Sequence, residues 1–221
     1  NYVEQGGAVL VSSGPEYGAA DSIYRSALGA ILPGAPTARV FDQGFVPQIT
    51  DLGQRHPVTA GLDAAIPAPD GDGPGWGRWF RLVDVTVSGT AEVVMQGLDA
   101  RPLLLLDRVG EGRVALIASD QSWLWDRGFE GGGPQTELLR RLAHWMMKEP
   151  ELEEELLSAT ATGQQVRIIR RSLAPDAADI TITHPDGTQT RLPLSETTPG
   201  RFETVWDAPE IGLYRLGDGV L

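Results

Sequence analysis

Two adjacent serines, Ser12 and Ser13, follow an apolar run and enter a turn marked by glycine and proline in the stretch GGAVLVSSGPEYG (6–18). In many α/β hydrolytic enzymes the nucleophile lies on such a turn, directly after a buried strand. A serine hydroxyl becomes nucleophilic only when a base accepts its proton and a third group orients that base. The stretch therefore raises a serine hydrolase as one hypothesis. The alternative is that both hydroxyls only satisfy backbone groups of the turn.

Few side chains could support a serine nucleophile. Among the three histidines, only His56 is a plausible base. Asp120 is the second candidate for a group that supports the serine. The pattern Gly-x-Ser-x-Gly is not met, because a leucine and a valine stand two residues before the two serines. We therefore predict no catalytic residue, and keep Ser12, Ser13, His56 and Asp120 as candidates.

Composition narrows the possible partners. The chain has 221 residues, 18 basic and 30 acidic, for a net charge of −12. Such a surface repels nucleic acid and anionic lipid, so we predict neither as a partner. The absence of cysteine excludes disulfides, thiolate metal sites and a cysteine nucleophile. We predict no cofactor and no metal, and no apolar run reaches the roughly 18 residues that span a membrane.

The first 150 residues alternate between strand-like and helix-like patterns, which is typical of an α/β domain. A hairpin is predicted at the turn RVGEG, and a helix at Pro134–Lys148, where leucines and a tryptophan form one stripe. The remaining predicted elements are a buried strand Ala8–Ser12, a helix Asp21–Leu32, strands Phe80–Val87 and Ala91–Met95, and the hairpin strands Leu103–Asp107 and Arg113–Ser119.

Residues 151–221 carry a different pattern, with short strands separated by turn signals and no convincing helix. This favours a small all-β sandwich that is truncated at its C-terminus, where one more strand is expected. The boundary is predicted in the acidic stretch Glu149–Thr162. The predicted strands are Val166–Arg171, Asp179–His184, Thr190–Leu194, Arg201–Trp206 and Gly212–Leu216.

Three stretches in order carry a family resemblance: YVEQGGAVLV (2–11), RHPVTAGL (55–62) and GEGRVALIASD (110–120). Together they resemble class I glutamine amidotransferase-like domains of the trehalose-utilisation-type branch. The resemblance implies a flavodoxin-like parallel sheet with flanking helices over residues 1–150. Because the family has βα units before the segment equivalent to Tyr2, this sheet is expected to be incomplete at its N-terminus.

The β-rich tail, with PDGT and GLYR, resembles an immunoglobulin-like module. The pairing of the two domains resembles large bacterial inner-membrane proteins of unknown function. This likeness implies that the chain is a soluble portion of a longer, membrane-anchored protein, with no membrane contact of its own.

The resemblance also implies a lost activity. An amidotransferase needs a cysteine on the turn after the strand and a histidine that activates it. Here the turn reads Val-Ser-Ser-Gly-Pro, and the Gly-x-Gly-Arg-Val strand leads to Asp120 where the family leads toward its histidine. The resemblance thus implies a non-catalytic domain for binding or scaffolding, with an unknown protein or small molecule as partner.

A second notable stretch, SDQSWLWDRGFEGGGP (119–134), follows the end of a predicted strand, where α/β sheets place ligand sites. Its polar and aromatic side chains suit a carbohydrate- or peptide-binding cleft, and its three glycines could offer N–H donors to an anion before the next helix. The alternative is that the tryptophans pack beneath a loop. The predicted ligand residues are Asp120, Gln121, Trp123, Trp125, Arg127 and Glu130. The stretch PDGDG (69–73) only partly matches a calcium loop.

Overall fold

A computed structural model describes residues 2–68, 74–175 and 179–217 of the chain. The chain divides into two compact units, Asn1–Leu152 and Glu153–Leu221. The boundary falls inside the stretch where the composition changes. None of the described helices combines the length and the apolar character that crossing a membrane requires.

The described residues of the N-terminal unit form seven strands, three α-helices and several single-turn 3₁₀ helices. The strands are β1 (Ala8–Ser12), β2 (Gly34–Phe41), β3 (Gln48–Ile49), β4 (Leu82–Val87), β5 (Glu92–Gln96), β6 (Pro102–Val109) and β7 (Gly112–Ile117). The α-helices are α1 (Asp51–Arg55), α2 (Trp123–Asp126) and α3 (Gln135–Met146). The 3₁₀ helices are Pro15–Gly18, Ile23–Arg25, Ala27–Ala30, Leu98–Ala100, Phe129–Gly131 and Pro150–Leu152.

The central sheet of this unit is mixed rather than parallel. Its strand order is β1-β7-β6-β5-β3, and only β1 and β7 pair in parallel, while β2 and β4 form a separate antiparallel ribbon. The physical reason is connection length. The two-residue turn between β6 and β7 permits only an antiparallel pair, because a parallel pair needs a crossover of about a dozen residues. The predicted hairpin is confirmed, and it conflicts with an all-parallel sheet.

The predicted helix at Asp21–Leu32 is wrong. The segment forms two 3₁₀ turns, because the hydroxyls of Ser22 and Ser26 accept hydrogen bonds from the backbone N–H of Tyr24 and Leu28. Each serine therefore begins a new turn and interrupts the helical run. The predicted helix at Pro134–Lys148 is confirmed as α3, in which Leu138, Leu142 and Trp145 are buried.

Strand β7 is the centre of the core, since all six of its residues are buried. The Gly-x-Gly-Arg motif has a structural explanation here. A side chain at Gly112 would overlap the carbonyl oxygens of Val3 and Gly7, so only glycine fits beside the N-terminal turn. The buried guanidinium of Arg113 lies 4.9 Å from the Trp145 ring centroid and donates to the Trp145 carbonyl at the end of α3. A cation there also suits the negative end of the helix dipole.

A buried carboxylate secures the β2–β4 ribbon. Asp84 accepts hydrogen bonds from the Thr37 hydroxyl at 2.6 Å and from Arg101 Nη1 at 2.6 Å. Burial by itself would raise the pKa of Asp84, but these two hydrogen bonds and the charge of Arg101 hold it below its ordinary value. Arg101 also lies over the Phe41 ring at 4.6 Å.

In residues 153–175 and 179–217, the C-terminal unit forms two antiparallel sheets, with strand orders β12-β13-β9-β8 and β11-β10-β14. Ile168 and Phe202 of the first sheet share one buried cluster with Ile180 and Ile182 of the second. The strands are β8 (Leu156–Thr162), β9 (Gln165–Arg171), β10 (Asp179–Thr183), β11 (Gln189–Pro193), β12 (Ser195–Thr198), β13 (Arg201–Asp207) and β14 (Arg215–Gly217). Strands β8 and β12 are additions to the prediction.

We expect Gly112→Ala to lower the free energy of unfolding by about 3 kcal/mol or more, because the new methyl group would meet backbone rather than a movable side chain. Gly18→Ala is the matched control: its methyl group would lie 3.5 Å from the nearest described atom, an ordinary contact. Urea unfolding followed by circular dichroism measures both. Equal stability of the two variants would contradict the close approach at Gly112.

We expect the Asp84 carboxylate to make stability depend on pH. Its pKa is lowered in the fold, so its contribution is present above the unfolded value of about 4 and is lost as the pH falls through the folded value. Asp84→Asn should cost about 1–3 kcal/mol at pH 7 and flatten the fall in stability below about pH 4. Unfolding free energies from pH 7 down to pH 3 measure this, and parallel curves for the two proteins would contradict it.

Candidate functional site

The candidate site lies at the carboxyl end of the parallel pair β1–β7. Here the backbone N–H of Ser13 donates to the Ile117 carbonyl at 2.9 Å, and the Ser13 hydroxyl donates to the same oxygen at 3.0 Å. The Ser12 hydroxyl donates to the Ser119 carbonyl at 2.9 Å. Both hydroxyls therefore fasten the turn to the strand beside it, and Ser13 is buried.

The turn that follows β7 joins this corner to the segment before β4. The buried Ser119 hydroxyl donates to the Arg81 carbonyl at 2.7 Å and accepts from the backbone N–H of Gln121 at 3.2 Å. The Arg81 guanidinium lies between two carboxylates, with Nε 3.0 Å from Asp42 Oδ1 and Nη1 3.2 Å from Asp120 Oδ2. The hydrogen bond that Arg81 donates to Asp42, and secondly the charge of Asp120, raise the pKa of Arg81.

Carboxylates lie close to the turn itself. A Cβ placed on Gly14 would come within 2.7 Å of Glu16 Oε2 and 3.3 Å of Asp120 Oδ2. Tyr17, next along the chain, is buried and donates its hydroxyl to the Gly34 carbonyl at 2.7 Å. Burial, and secondly the neighbouring Tyr24, raise the pKa of Tyr17, so the phenol stays neutral and offers no base.

The structure does not bring His56 to the serines. His56 ends α1 with 0% of its surface exposed, and its Nδ1 accepts from the backbone N–H of Val58 at 3.2 Å. Its Nε2 lies 3.9 Å from a Glu92 carboxylate oxygen, and its ring packs edge-on against Trp145 at 6.0 Å. An imidazole held by these partners has a structural role in the turn.

The remaining residues of the segment RHPVTAGL also have structural roles, because they form a turn. The Thr59 hydroxyl donates to the Gly53 carbonyl at 2.7 Å, and the His56 carbonyl accepts from the N–H groups of Thr59 and Ala60. Gly61 has a φ of +70°, which glycine adopts without strain, and Leu62 is buried. The motif forms a compact turn that fills the core.

The predicted ligand residues of the 119–134 stretch separate into two groups. Most are used in packing or pairing: Asp120 pairs with Arg81, the Gln121 side-chain oxygen accepts from the Phe80 N–H at 2.7 Å, and Glu130 binds Arg78 through two oxygens. The hydrogen bonds from Arg78 lower the pKa of Glu130. Trp123 is 51% exposed and Arg127 is exposed, so these two remain available to a ligand.

Trp125 fixes this stretch to the core. It is 2% exposed, its Nε1 donates to the Gly77 carbonyl at 2.8 Å, and its ring lies 5.1 Å from Trp76 and 4.8 Å from Trp79. The predicted anion site at the three glycines finds little support. The N–H groups of Gly131 and Gly132 donate to the carbonyls of residues 128 and 129 instead of pointing to a ligand. The partial calcium motif (69–73) lies outside the described residues.

Sequence reasoning did not identify Arg78, Arg81 or Asp42. Arg78 and Arg81 alternate with aromatic residues in the run WGRWFR (76–81), a signal that one face of this segment is packed and the other charged. No sequence signal indicates that Arg81 reaches Asp42, because 39 residues separate them. Such pairings arise only when β4 packs beside the end of β7.

Comparison with known proteins informs the fold alone. No protein-family model and no curated protein matches the chain. Among solved structures, a cytoplasmic protein from Salmonella typhimurium aligns with 66% of this chain at 19% identity and a TM-score of 0.52. This chain spans 57% of that protein's length. The alignment indicates a shared fold over that part of the chain.

Two further solved structures align less well. A cytoplasmic protein from Salmonella typhimurium LT2 aligns with 66% of this chain at 20% identity, with a TM-score of 0.49 and 57% of its own length covered. A β-galactosidase from Bacillus circulans sp. alkalophilus aligns with 94% of this chain at 11% identity and a TM-score of 0.38, over 30% of its own length. Neither score is high enough to carry an argument.

We expect Ser13→Ala to destabilise the protein by about 1 kcal/mol, because it removes one buried hydrogen bond but leaves the backbone N–H of residue 13 on the same carbonyl. Ser13→Cys should cost more, because the larger sulfur must fit a buried position. Thermal and urea unfolding measure both variants. A gain in stability for Ser13→Cys would contradict the tight fastening of this turn.

Proposed function

We propose that residues 1–152 form a non-catalytic glutamine amidotransferase-like domain that serves binding or scaffolding. Residues 153–221, which follow in the chain, form an immunoglobulin-like module, and both belong to a longer, membrane-anchored bacterial protein. The proposal rests on the three motifs that resemble the family, together with a parallel β1–β7 pair that carries the turn where the family places its nucleophile.

One observation carries the loss of catalysis. Where the reaction needs a nucleophile and an imidazole base, the turn has two hydroxyls that donate to backbone carbonyls of residues 117 and 119. The position after β7 has Asp120, whose carboxylate is paired with Arg81. A serine needs an acceptor for its proton before it can attack an amide, and a backbone carbonyl is too weak a base to serve.

A binding role is supported by the segment that contains α2. Trp123 and Arg127 remain exposed on a segment that the buried Trp125 anchors to the core. An exposed tryptophan close to an exposed arginine is typical of interaction sites rather than of folded cores. The competing function, a serine esterase or amidase with His56 or Asp120 in support, has no comparable contact in its favour.

Two assays on the folded chain test the loss of catalysis. We expect no ammonia release from glutamine above the buffer rate and no covalent labelling by a fluorophosphonate, because neither hydroxyl has a base. The control is the same chain unfolded in urea, which reports non-specific labelling. Ammonia release that disappears in Ser13→Ala, or labelling that needs the folded state and disappears in Ser12→Ala or Ser13→Ala, would overturn the proposal.

A further inference from the structure

We infer that the C-terminal unit has a cleft that binds a single carboxylate carried next to an aliphatic group. The cleft lies between the β10–β11 turn and the segment that leads into β14, and its volume is about 320 Å³. This volume is at the lower end of the range of small-molecule sites, so the part of the ligand that enters is small. The inference goes beyond the binding role proposed for the N-terminal unit. The residues that line the cleft are Thr183, His184, Pro185, Gly187, Leu213 and Arg215.

Arg215 supplies the charge of the cleft. It is exposed and lies directly opposite Thr183 in the antiparallel pair β10–β14, so the two side chains are neighbours on one face of the sheet. Within the part of the chain that the structure describes, Arg215 forms no ion pair and does not stack on a ring. Its guanidinium offers a planar fork of N–H donors that fits a carboxylate. Because no acidic side chain is among the residues that line the cleft, the cleft favours an anion over a cation.

The hydroxyl of Thr183 adds a second donor. It accepts a hydrogen bond from Gln189 Nε2 at 3.4 Å, which leaves its own proton for an oxygen of the ligand. The imidazole of His184 is already in use, since its Nε2 lies 2.8 Å from Thr190 Oγ1. The carboxylate of the ligand is therefore held by Arg215 and Thr183.

The two walls of the cleft are held together by the fold. A Cβ on Gly212 would come within 2.3 Å of Pro185 Cγ, so only glycine allows this close approach. Tyr214 donates its hydroxyl to the Glu210 carbonyl at 2.9 Å, and its ring packs edge-on against His184 with 5.4 Å between the ring centroids. These contacts exist before a ligand binds, which lowers the entropic cost of binding.

The surroundings of Arg215 limit the ligand to one negative charge. The chain has a net charge of −12, which repels a ligand with several negative charges, and one arginine neutralises one carboxylate. Asp186 in the adjoining turn is used by that turn, because it accepts from the Thr188 N–H at 2.9 Å and from the Thr188 hydroxyl at 2.7 Å.

Leu213 and Pro185 determine what accompanies the carboxylate. Leu213 is 77% exposed, and both residues line the cleft with apolar surface. An aliphatic group that covers them removes this surface from water, which favours binding. The ligand is therefore an aliphatic monocarboxylate. A free acid and the C-terminal carboxylate of a peptide that ends in an aliphatic residue share this chemistry.

Titration of the full chain, followed by the NMR signals of its backbone amides, tests the inference. The probes are N-acetyl-leucine, a hexapeptide that ends in leucine with a free carboxylate, the neutral amides of both, and leucinamide, which is a cation. We expect N-acetyl-leucine, the peptide or both to shift the signals of residues 183–187 and 213–215, and the matching amide to bind at least about tenfold more weakly. Arg215→Gln should weaken carboxylate binding about tenfold, and Leu213→Ala about fivefold.

Arg191→Gln is the matched control, because Arg191 is an exposed arginine of the same sheet that pairs with Asp179 at 2.8 Å. This variant should keep the affinity of the unchanged chain. Tighter binding of N-acetyl-leucine would support a free acid as the ligand, and tighter binding of the peptide would support a peptide C-terminus. The inference is overturned if neither carboxylate binds, if an amide or leucinamide binds as tightly, or if the affinity survives Arg215→Gln. Those results leave the function proposed for the N-terminal unit standing.

Discussion

Burial of strand β7 on both faces is the constraint on which the N-terminal unit depends. Its six residues are shielded from water, so every backbone group along it must find a partner within the protein. Strands β1 and β6 supply those partners along its two edges. Beyond its end, the Ala118 N–H donates to Leu103, and the Ala118 carbonyl accepts from Val83. The strand thereby positions the β2–β4 ribbon, α3 and the serine turn.

The same constraint explains why the serines are poor candidates for chemistry. A turn at the end of a buried strand leaves carbonyls that need donors, and short hydroxyl side chains meet that need at low entropic cost. Arg113 provides a parallel case at the other end of β7, where a charged group satisfies a helix carbonyl. These polar residues, which look functional in the sequence, instead satisfy backbone groups at the two ends of a buried strand.

The sequence predicted those elements whose signal is local. The apolar stripe of α3 and the glycine turn between β6 and β7 both follow from residues within one short window. Strand β2 was missed because Pro36 and the left-handed Ala38 interrupt it, and its pairing shifts register between Pro36 and Val40. Those interruptions become tolerable only once β4 supplies the pairing, which no local pattern can indicate.

The candidate site was predictable in part for the same reason. The serine turn and the aromatic stretch were located by their position after strands, and the exposure of Trp123 and burial of Trp125 could not be separated from spacing alone. That difference depends on Trp76 and Trp79, which lie some 45 residues earlier in the chain. Long-range contacts of this kind decide which aromatic residues are left for a partner.

The fastening of Glu130 by Arg78 has a consequence for affinity. A mobile loop loses conformational entropy when a ligand binds to it, and this loss weakens the affinity. Here the Arg78–Glu130 pair and the backbone hydrogen bonds of Gly131 and Gly132 hold the left-handed turns between residues 128 and 132 in the folded chain. A ligand that binds to the neighbouring helix α2 therefore contacts a segment whose conformation is already formed before binding.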